Sequence, residues 1–369
     1  MFLRFLDHVV LAVVRVLIIF RDPYLAAWYI KHSGWKKLPN PALPTTANDK
    51  FYWRKMFDHN PAFTRLADKI AVREWLAETG TGITGPEIFW TGTDAATLPD
   101  EVIAKRVAVK ANHASGANIL LREPPKDRDD FNAKANRLLQ IDHGKRRAQW
   151  AYDNIAPELL AEEFLPENLM EFQFLMFGEK LGKLLMIYDR IGGTYAGDHW
   201  TPNEDGILEA NVHGGFGTIK HANRPLPENF DEMFALAKTL ARDFDHVRVD
   251  LNYGGGRVWF GEMTFYHIAG HVPKLGPQRD SAVSRYWDIG TSWFLTTPQF
   301  GWRGVYANAL RRTLAGRKAS LAGPADDVRA PADRSPSAAF SARSDTVQDV
   351  CSAVDSRVRG LGGAKQFHG

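Results

Sequence analysis

Residues 247–264 read VRVDLNYGGGRVWFGEMT. In the first five, apolar and polar residues alternate, so on a strand Arg248 and Asp250 share one face while Val247, Val249 and Leu251 line the other. Gly254, Gly255 and Gly256 reverse the chain, and residues 258–264 return as a second strand. A reversal centred on Gly256 sets Asp250 opposite Glu262, with Thr264 following on the same face. A two-residue turn instead shifts the register by one and sends the two acids to opposite faces. The two registers predict different chemistry. In the first, two carboxylates on one face need a cation between them, and such oxygen ligands suit Mg²⁺. In the second, Arg248 and Asp250 form a surface pair and Glu262 is unrelated.

The neighbouring segments extend the pattern. In residues 107–118, VAVKANHASGAN, a strand delivers Lys110, a loop of small residues follows, and a second strand begins at Ile119. Small residues let backbone N–H groups approach phosphate oxygens, and a lysine at a strand end supplies a fixed charge to the same group. An exposed hairpin loop has the same composition. Residues 161–165, AEEFL, set two acids in an apolar stretch, and residues 171–188 read as two strands across a turn at 178–182. Residues 68–78, 131–139 and 229–242 read as helices, the last with Phe230, Met233, Phe234, Ala237 and Leu240 on one side. Helices mixed with hairpins indicate α+β lobes and not a regular parallel βαβ series.

Composition sets the outer bounds. The chain has 369 residues, 44% of them apolar, and 46 Lys and Arg against 43 Asp and Glu. Fibrous and disulfide-scaffold classes are excluded, and a formal charge of +3 leads us to expect no nucleic-acid partner. The single cysteine, Cys351, makes no internal disulfide or Cys-based zinc site, which fits a reducing compartment. The ends differ from the middle. On a helix, Arg4, His8 and Arg15 of residues 1–20 fall within about 40° of each other with Asp7 beside them, a narrow polar stripe on an apolar cylinder. The unbroken apolar run, residues 9–14, is too short to span a bilayer. With Trp28, Lys31, Trp35, Lys36 and Lys37 following, residues 1–37 are expected to lie in a membrane surface, the alternative being a helix packed on the protein's own body. Residues 316–369, rich in Ala, Ser, Arg, Asp, Pro and Gly, are expected to be a disordered tail.

Some signals are discounted. GTGITG (Gly80, Gly82, Gly85) has the dinucleotide spacing, but it follows a helix where that fingerprint must follow a strand, so a helix C-cap and loop is expected. Asp127 with Asp129, and Asp243 with Asp245, match the short Asp-x-Asp pattern of glycosyltransferases. Solvated carboxylates explain both more simply.

Taken together, NDKFYW (residues 48–53), Asn60-Pro61, LADKIAVR (66–73), KANHASGAN (110–118), AEEFL (161–165), VRVDL (247–251) and FGEMTF (260–265) resemble the TupA-like branch of the ATP-grasp superfamily. The resemblance covers roughly residues 46–298 in consistent order, leaving residues 1–45 as an amphipathic segment and 299–315 as a linker or terminal helix. It implies an ATP-grasp fold, two α+β lobes clasping ATP. Lys69 and Lys110 then correspond to the lysines that reach the phosphates, and the loop containing His113, Ser115, Gly116 and Asn118 to the one that closes over them. Glu162 and Glu163 correspond to hinge acids beside the adenine, and Glu171 to the ribose ligand. Arg248 corresponds to the arginine that, with Lys110, acts on the transferring phosphoryl group, and Asp250, Glu262 and Thr264 to the Mg²⁺ positions. Ala114 and Ala117 replace loop glycines and make positive φ less accessible there. The implied activity is ligation of a small-molecule carboxylate to an amine through an acyl phosphate, on cell-surface polysaccharide or its glycan-linked precursor. The expected location is the cytoplasm, peripheral on the inner membrane face. A glycosyltransferase and an inactive nucleotide-binding module are the alternatives.

Overall fold

A computed structural model of the chain describes residues 2–32, 38–116, 118–191, 194–210, 224–272 and 281–321. Two antiparallel sheets organise it. The smaller has the order β1 (Ile88–Gly92), β4 (Leu159–Glu163), β2 (Val107–Ala111), β3 (Asn118–Leu121). Alternation gives this sheet a core face of Val107, Val109, Leu159 and Ala161, packed under Phe131 and Ala135 of the helix Arg128–Leu138. Its other face carries Lys110 and Glu162.

The larger sheet comprises β5 (Met170–Phe177), β6 (Lys180–Ile191), β7 (Thr194–Pro202), β8 (Leu208–Ala210), β9 (Val247–Gly254) and β10 (Arg257–Thr264), in the order β10-β9-β5-β6-β7-β8. The hairpin expected over residues 171–188 is present as β5 and β6, with Phe177 paired to Lys180. Phe172, Phe174, Val249 and Leu251 fill the core face beneath Phe230, Met233, Ala237 and Leu240 of the helix Phe230–Ala241. The helical period expected for residues 229–242 is therefore satisfied by a sheet of period two on the facing side.

A second core joins the N-terminal helices to the helix Gly301–Leu321. The helix Ala47–Met56 is almost wholly buried, charges included, because those charges satisfy backbone carbonyls and buried acids. Lys50 Nζ donates to the carbonyls of Ser284 and Trp287, each at 2.6 Å. Arg54 donates to His246 O at 2.7 Å and pairs with Asp245 and Asp58. Asp245 also accepts from Trp287 Nε1 at 2.6 Å. The N-terminal helix Phe2–Arg21 lays Asp7, Leu11, Val14 and Ile18 inward. It packs against the helix Gly301–Leu321, where Arg312 binds the Asp7 carboxylate at 3.0 and 2.6 Å. The described residues of this amphipathic N-terminal segment pack on the body, and the terminal helix runs through Leu321, five residues past Gly316, where the tail was expected to start. The remaining tail, with Cys351, lies outside the described residues.

Candidate active site

The β9–β10 hairpin turns on two residues. Gly255 and Gly256 both adopt left-handed φ, 58° and 78°, and Arg257 pairs directly with Gly254. That turn alone would place Gly261 opposite Asp250 and drive Glu262 into the core. A bulge intervenes: Phe260 pairs with Leu251, Gly261 is skipped, and Glu262 pairs with Asp250, Met263 with Val249 and Thr264 with Arg248. The expected partnership of Asp250 and Glu262 is thus present, but it arises from a two-residue turn corrected by a bulge and not from a reversal centred on Gly256. Gly261 is suited to the bulge by space, since a Cβ there would lie 2.9 Å from the carbonyl oxygen of Asp250.

Arg248 occupies the middle of this face. Its Nε donates to Asp250 Oδ1 at 2.7 Å, and its terminal nitrogen donates to Asp250 Oδ2 at 2.5 Å and Glu262 Oε1 at 2.6 Å. The cation demanded by two neighbouring carboxylates is therefore a guanidinium here. Burial, together with Glu262, holds the Asp250 carboxyl well above the usual carboxylate range despite Arg248. Burial also raises Glu262, but Arg248, Lys69 and the Thr264 hydroxyl outweigh it and leave Glu262 below its usual value. Thr264 pairs with Arg248 on this face, and its hydroxyl donates to Glu262 Oε1 at 2.8 Å, which orients that acid.

The smaller sheet presents the opposing wall. Lys110 on β2 and Glu162 on β4 are diagonal neighbours on one face and form a direct ion pair. Glu162, 3% exposed, accepts also from Arg73 at 3.0 Å. The acid expected beside the adenine is thus engaged as the shared counter-ion of two cations. Lys69 lies just before the helix Ala71–Glu78 and donates to the Ala114 carbonyl, while Asp68 Oδ1 accepts from Ile70 N at 2.8 Å and so shapes the turn that leads into that helix. Burial lowers the Lys69 pKa, and Glu262 and Glu162 act against that shift.

Lys69, Lys110, Ser115, Gly116, Asn118 and Glu162 meet Glu171, Arg248, Asp250 and Glu262 around one cleft of about 350 Å³ between the sheets. An adjoining pocket of about 330 Å³, walled by Leu120, Phe164 and Leu165, shares Lys110, Asn118 and Glu162 with it. Glu163 borders this outer pocket, and its carboxylate lies 3.4 Å from the Glu87 backbone N–H. His113 is placed away from the cleft lining. Its buried ring is held by Asn112 Oδ1 at 3.2 Å and Ile141 O at 3.1 Å and does not line the cleft. The loop tolerates Ala114 because only Gly116 there takes a positive φ, 80°, among the described residues; Ala117 lies outside them.

Four polar side chains of the cleft went unassigned in the sequence: Arg73, Tyr152, Gln173 and Asn252. Asn252 was legible, being two residues beyond Asp250 on the same strand face, and Arg73 stands one helical turn from Lys69. The discounted motifs have structural explanations. Gly80 and Gly82 take positive φ in the loop after the helix Ala71–Glu78. Asp127 accepts from Asp130 N at the start of the helix Arg128–Leu138, and Asp245 binds Arg54.

The donor set fits a hard divalent cation. Among the described residues no cluster of three or more His, Cys, Asp or Glu could enclose a metal. An ion here would rest on Asp250 and Glu262 and take further oxygens from a phosphate, the habit of Mg²⁺ and not of a caged metal.

Two α+β lobes with lysines on one wall and paired acids on the other define an ATP-grasp fold. The chain belongs to the TupA-like ATP-grasp family, whose model, described as TupA-like ATPgrasp, matches residues 49–281. No curated protein matches. Similar solved structures include D-alanine–D-alanine ligase from Bacillus anthracis, at 14% identity over 69% of this chain and 69% of that chain, TM-score 0.31. The Helicobacter pylori D-alanine–D-alanine ligase is 12% identical over 67% and 60%, TM-score 0.32. D-alanyl-alanine synthetase A from Vibrio cholerae is 13% identical over 68% and 66%, TM-score 0.34. Likenesses at this level say nothing of this protein's substrate.

Proposed function

We propose that the protein is an ATP- and Mg²⁺-dependent ligase that joins a carboxylate to an amine through an acyl phosphate. The observation that carries this reading is the pairing of Asp250 with Glu262 around Arg248, facing Lys69 and Lys110 across one cleft. Mg²⁺, held by Asp250 and Glu262, would supply charge neutralisation on the phosphates. Lys69 and Lys110 place two further positive charges against them, and Glu162 fixes the direction of Lys110. The outer pocket, with Leu120, Phe164 and Leu165, has the apolar walls that a purine needs.

Beyond Arg248 the cleft face continues into a smaller hollow of about 80 Å³ bordered by Gln173, Lys183, His199 and His267. Set among Leu175, Leu185 and Val283, the side-chain N–H groups of Gln173 and Lys183 suit a small carboxylate, and Arg248 borders both this hollow and the cleft with the paired acids. In the reaction a carboxylate oxygen attacks the γ-phosphorus of ATP, ADP leaves, and an amine then attacks the acyl carbon and expels phosphate. Such a transfer needs positioning and charge stabilisation more than a protein nucleophile. Arg248 provides N–H donors to the transferring group once the two acids have another counter-charge. The finer reading, a carboxylate or amine carried on a cell-surface polysaccharide precursor, is supported by family membership. The test is release of ADP from ATP in the presence of uronic acids paired with amino acids. ADP release that requires both partners is expected. ATP binding without carboxylate-dependent ADP release, or binding of UDP-sugars in place of ATP, would overturn the reading.

A further inference from the structure

The N-terminal helix buries one narrow stripe, Asp7 with three apolar residues, and turns a second, wider apolar face to solvent. Asp7, Leu11, Val14 and Ile18 are buried against the body, whereas nine apolar residues between Phe2 and Phe20 are 41–79% exposed. Eight of them, centred on Phe5, Val9, Val13, Val16 and Phe20, fall within about 120° of the helix surface, opposite the buried stripe. The face continues onto the helix Gly301–Leu321, because Leu17 and Arg21 share a groove with Trp302, itself 54% exposed. An apolar surface this continuous is unusual for a protein that meets only water.

Charge indicates the occupant. The helices Phe2–Arg21 and Gly301–Leu321 together carry eight Arg and Lys against one acid, Asp7; Arg312 pairs with that acid and Lys318 with Asp288, which leaves six cations with no ion-pair partner among the described residues. A second copy docking here would bring two such cationic surfaces together, whereas anionic headgroups would neutralise them. No described helix is long and apolar enough to cross a membrane, and the bond from Arg312 to Asp7 ties the helix lengthwise to its neighbour. We propose that this two-helix face lies in the surface of an anionic lipid bilayer, with Phe5, Val9, Val16 and Phe20 entering the acyl boundary and the arginines meeting phosphate headgroups. The inference is independent of the ligase reading.

The test is sedimentation of the full chain with vesicles of equal parts phosphatidylglycerol and phosphatidylcholine, and with phosphatidylcholine alone. The wild type is expected to pellet with the anionic vesicles, to be partly released by salt, and to bind the neutral vesicles more weakly. The variant F5D/V9D/V16D is expected to lose roughly tenfold or more in vesicle affinity while keeping its melting temperature and ATP binding. Wild type remaining in the supernatant, or a variant that pellets equally well, would overturn the proposal. So would a wild-type dimer in solution that the variant converts to monomer, which would make a second copy the occupant.

Discussion

Gly261→Ala tests whether the bulge makes the metal-binding pair. The added Cβ would lie 2.9 Å from Asp250 O, a backbone atom that cannot swing aside, and 3.2 Å from the Asn252 side chain, which can. Ordinary contact requires the strands to part by about half an ångström, and overpacking of this kind costs about 1–3 kcal/mol. At about 2–4 °C per kcal/mol for bodies somewhat smaller than this one, the melting temperature should fall by roughly 2–12 °C. The larger effect is on function. If β10 relaxes by losing the bulge, Glu262 turns into the core and Asp250 loses its partner, so the stabilisation of the protein by Mg²⁺ with ATP should largely disappear. Thermal melts with and without Mg²⁺ and ATP read both effects. Gly206→Ala is the control, since its φ of 83° makes the substitution strained with no crowding and no link to the cleft. Gly261→Ala with an unchanged Mg²⁺–ATP shift would refute the argument that the bulge places Glu262.

Glu162→Gln leaves Arg73 and Lys110 facing a neutral amide in a poorly hydrated position, and denaturant unfolding should show a loss of about 3 kcal/mol. Asn112→Ala removes Nδ2 bonds to Asp68 and Ala156 and strands the Glu158 N–H, so a loss of about 2–3 kcal/mol is expected in the same measurement. Burial depresses His267 to about 3 from an ordinary 6.5. Below pH 6.5 the unfolded chain therefore takes up a proton that the folded protein refuses until about pH 3, and stability falls with pH across that window. Relative to His267→Gln, the wild type should lose about 2 kcal/mol between pH 7 and pH 5 in equilibrium unfolding. A constant difference would show that His267 titrates normally.

Local periodicity made much of this fold legible. The alternation in residues 247–251 and 107–110 and the helical period of residues 229–242 each correspond to an element whose apolar side is the buried side. What could not be read depended on distant chain. The bulge at Gly261 responds to Asp250 across the hairpin, and a string of residues shows only two registers. Glu162 looked like a hinge acid because the cations beside it, Arg73 and Lys110, come from 89 and 52 residues away. His113 was assigned by resemblance to the loop that closes over the phosphates, yet its neighbour Asn112 ties that segment to Asp68, Ala156 and Glu158. The amphipathic character of the first twenty residues was plain, but which face turned inward was decided by Arg312, 305 residues on.

Calorimetric titration of ATP into the wild type and into Asp250→Asn/Glu262→Gln, each with and without Mg²⁺, tests the central claim most directly. The wild type should bind ATP through Lys69 and Lys110 and bind it at least tenfold more tightly with Mg²⁺, while the double variant should keep metal-free binding and lose the Mg²⁺ enhancement. Absence of ATP binding by the wild type, or a Mg²⁺ enhancement that survives in the double variant, would contradict the account.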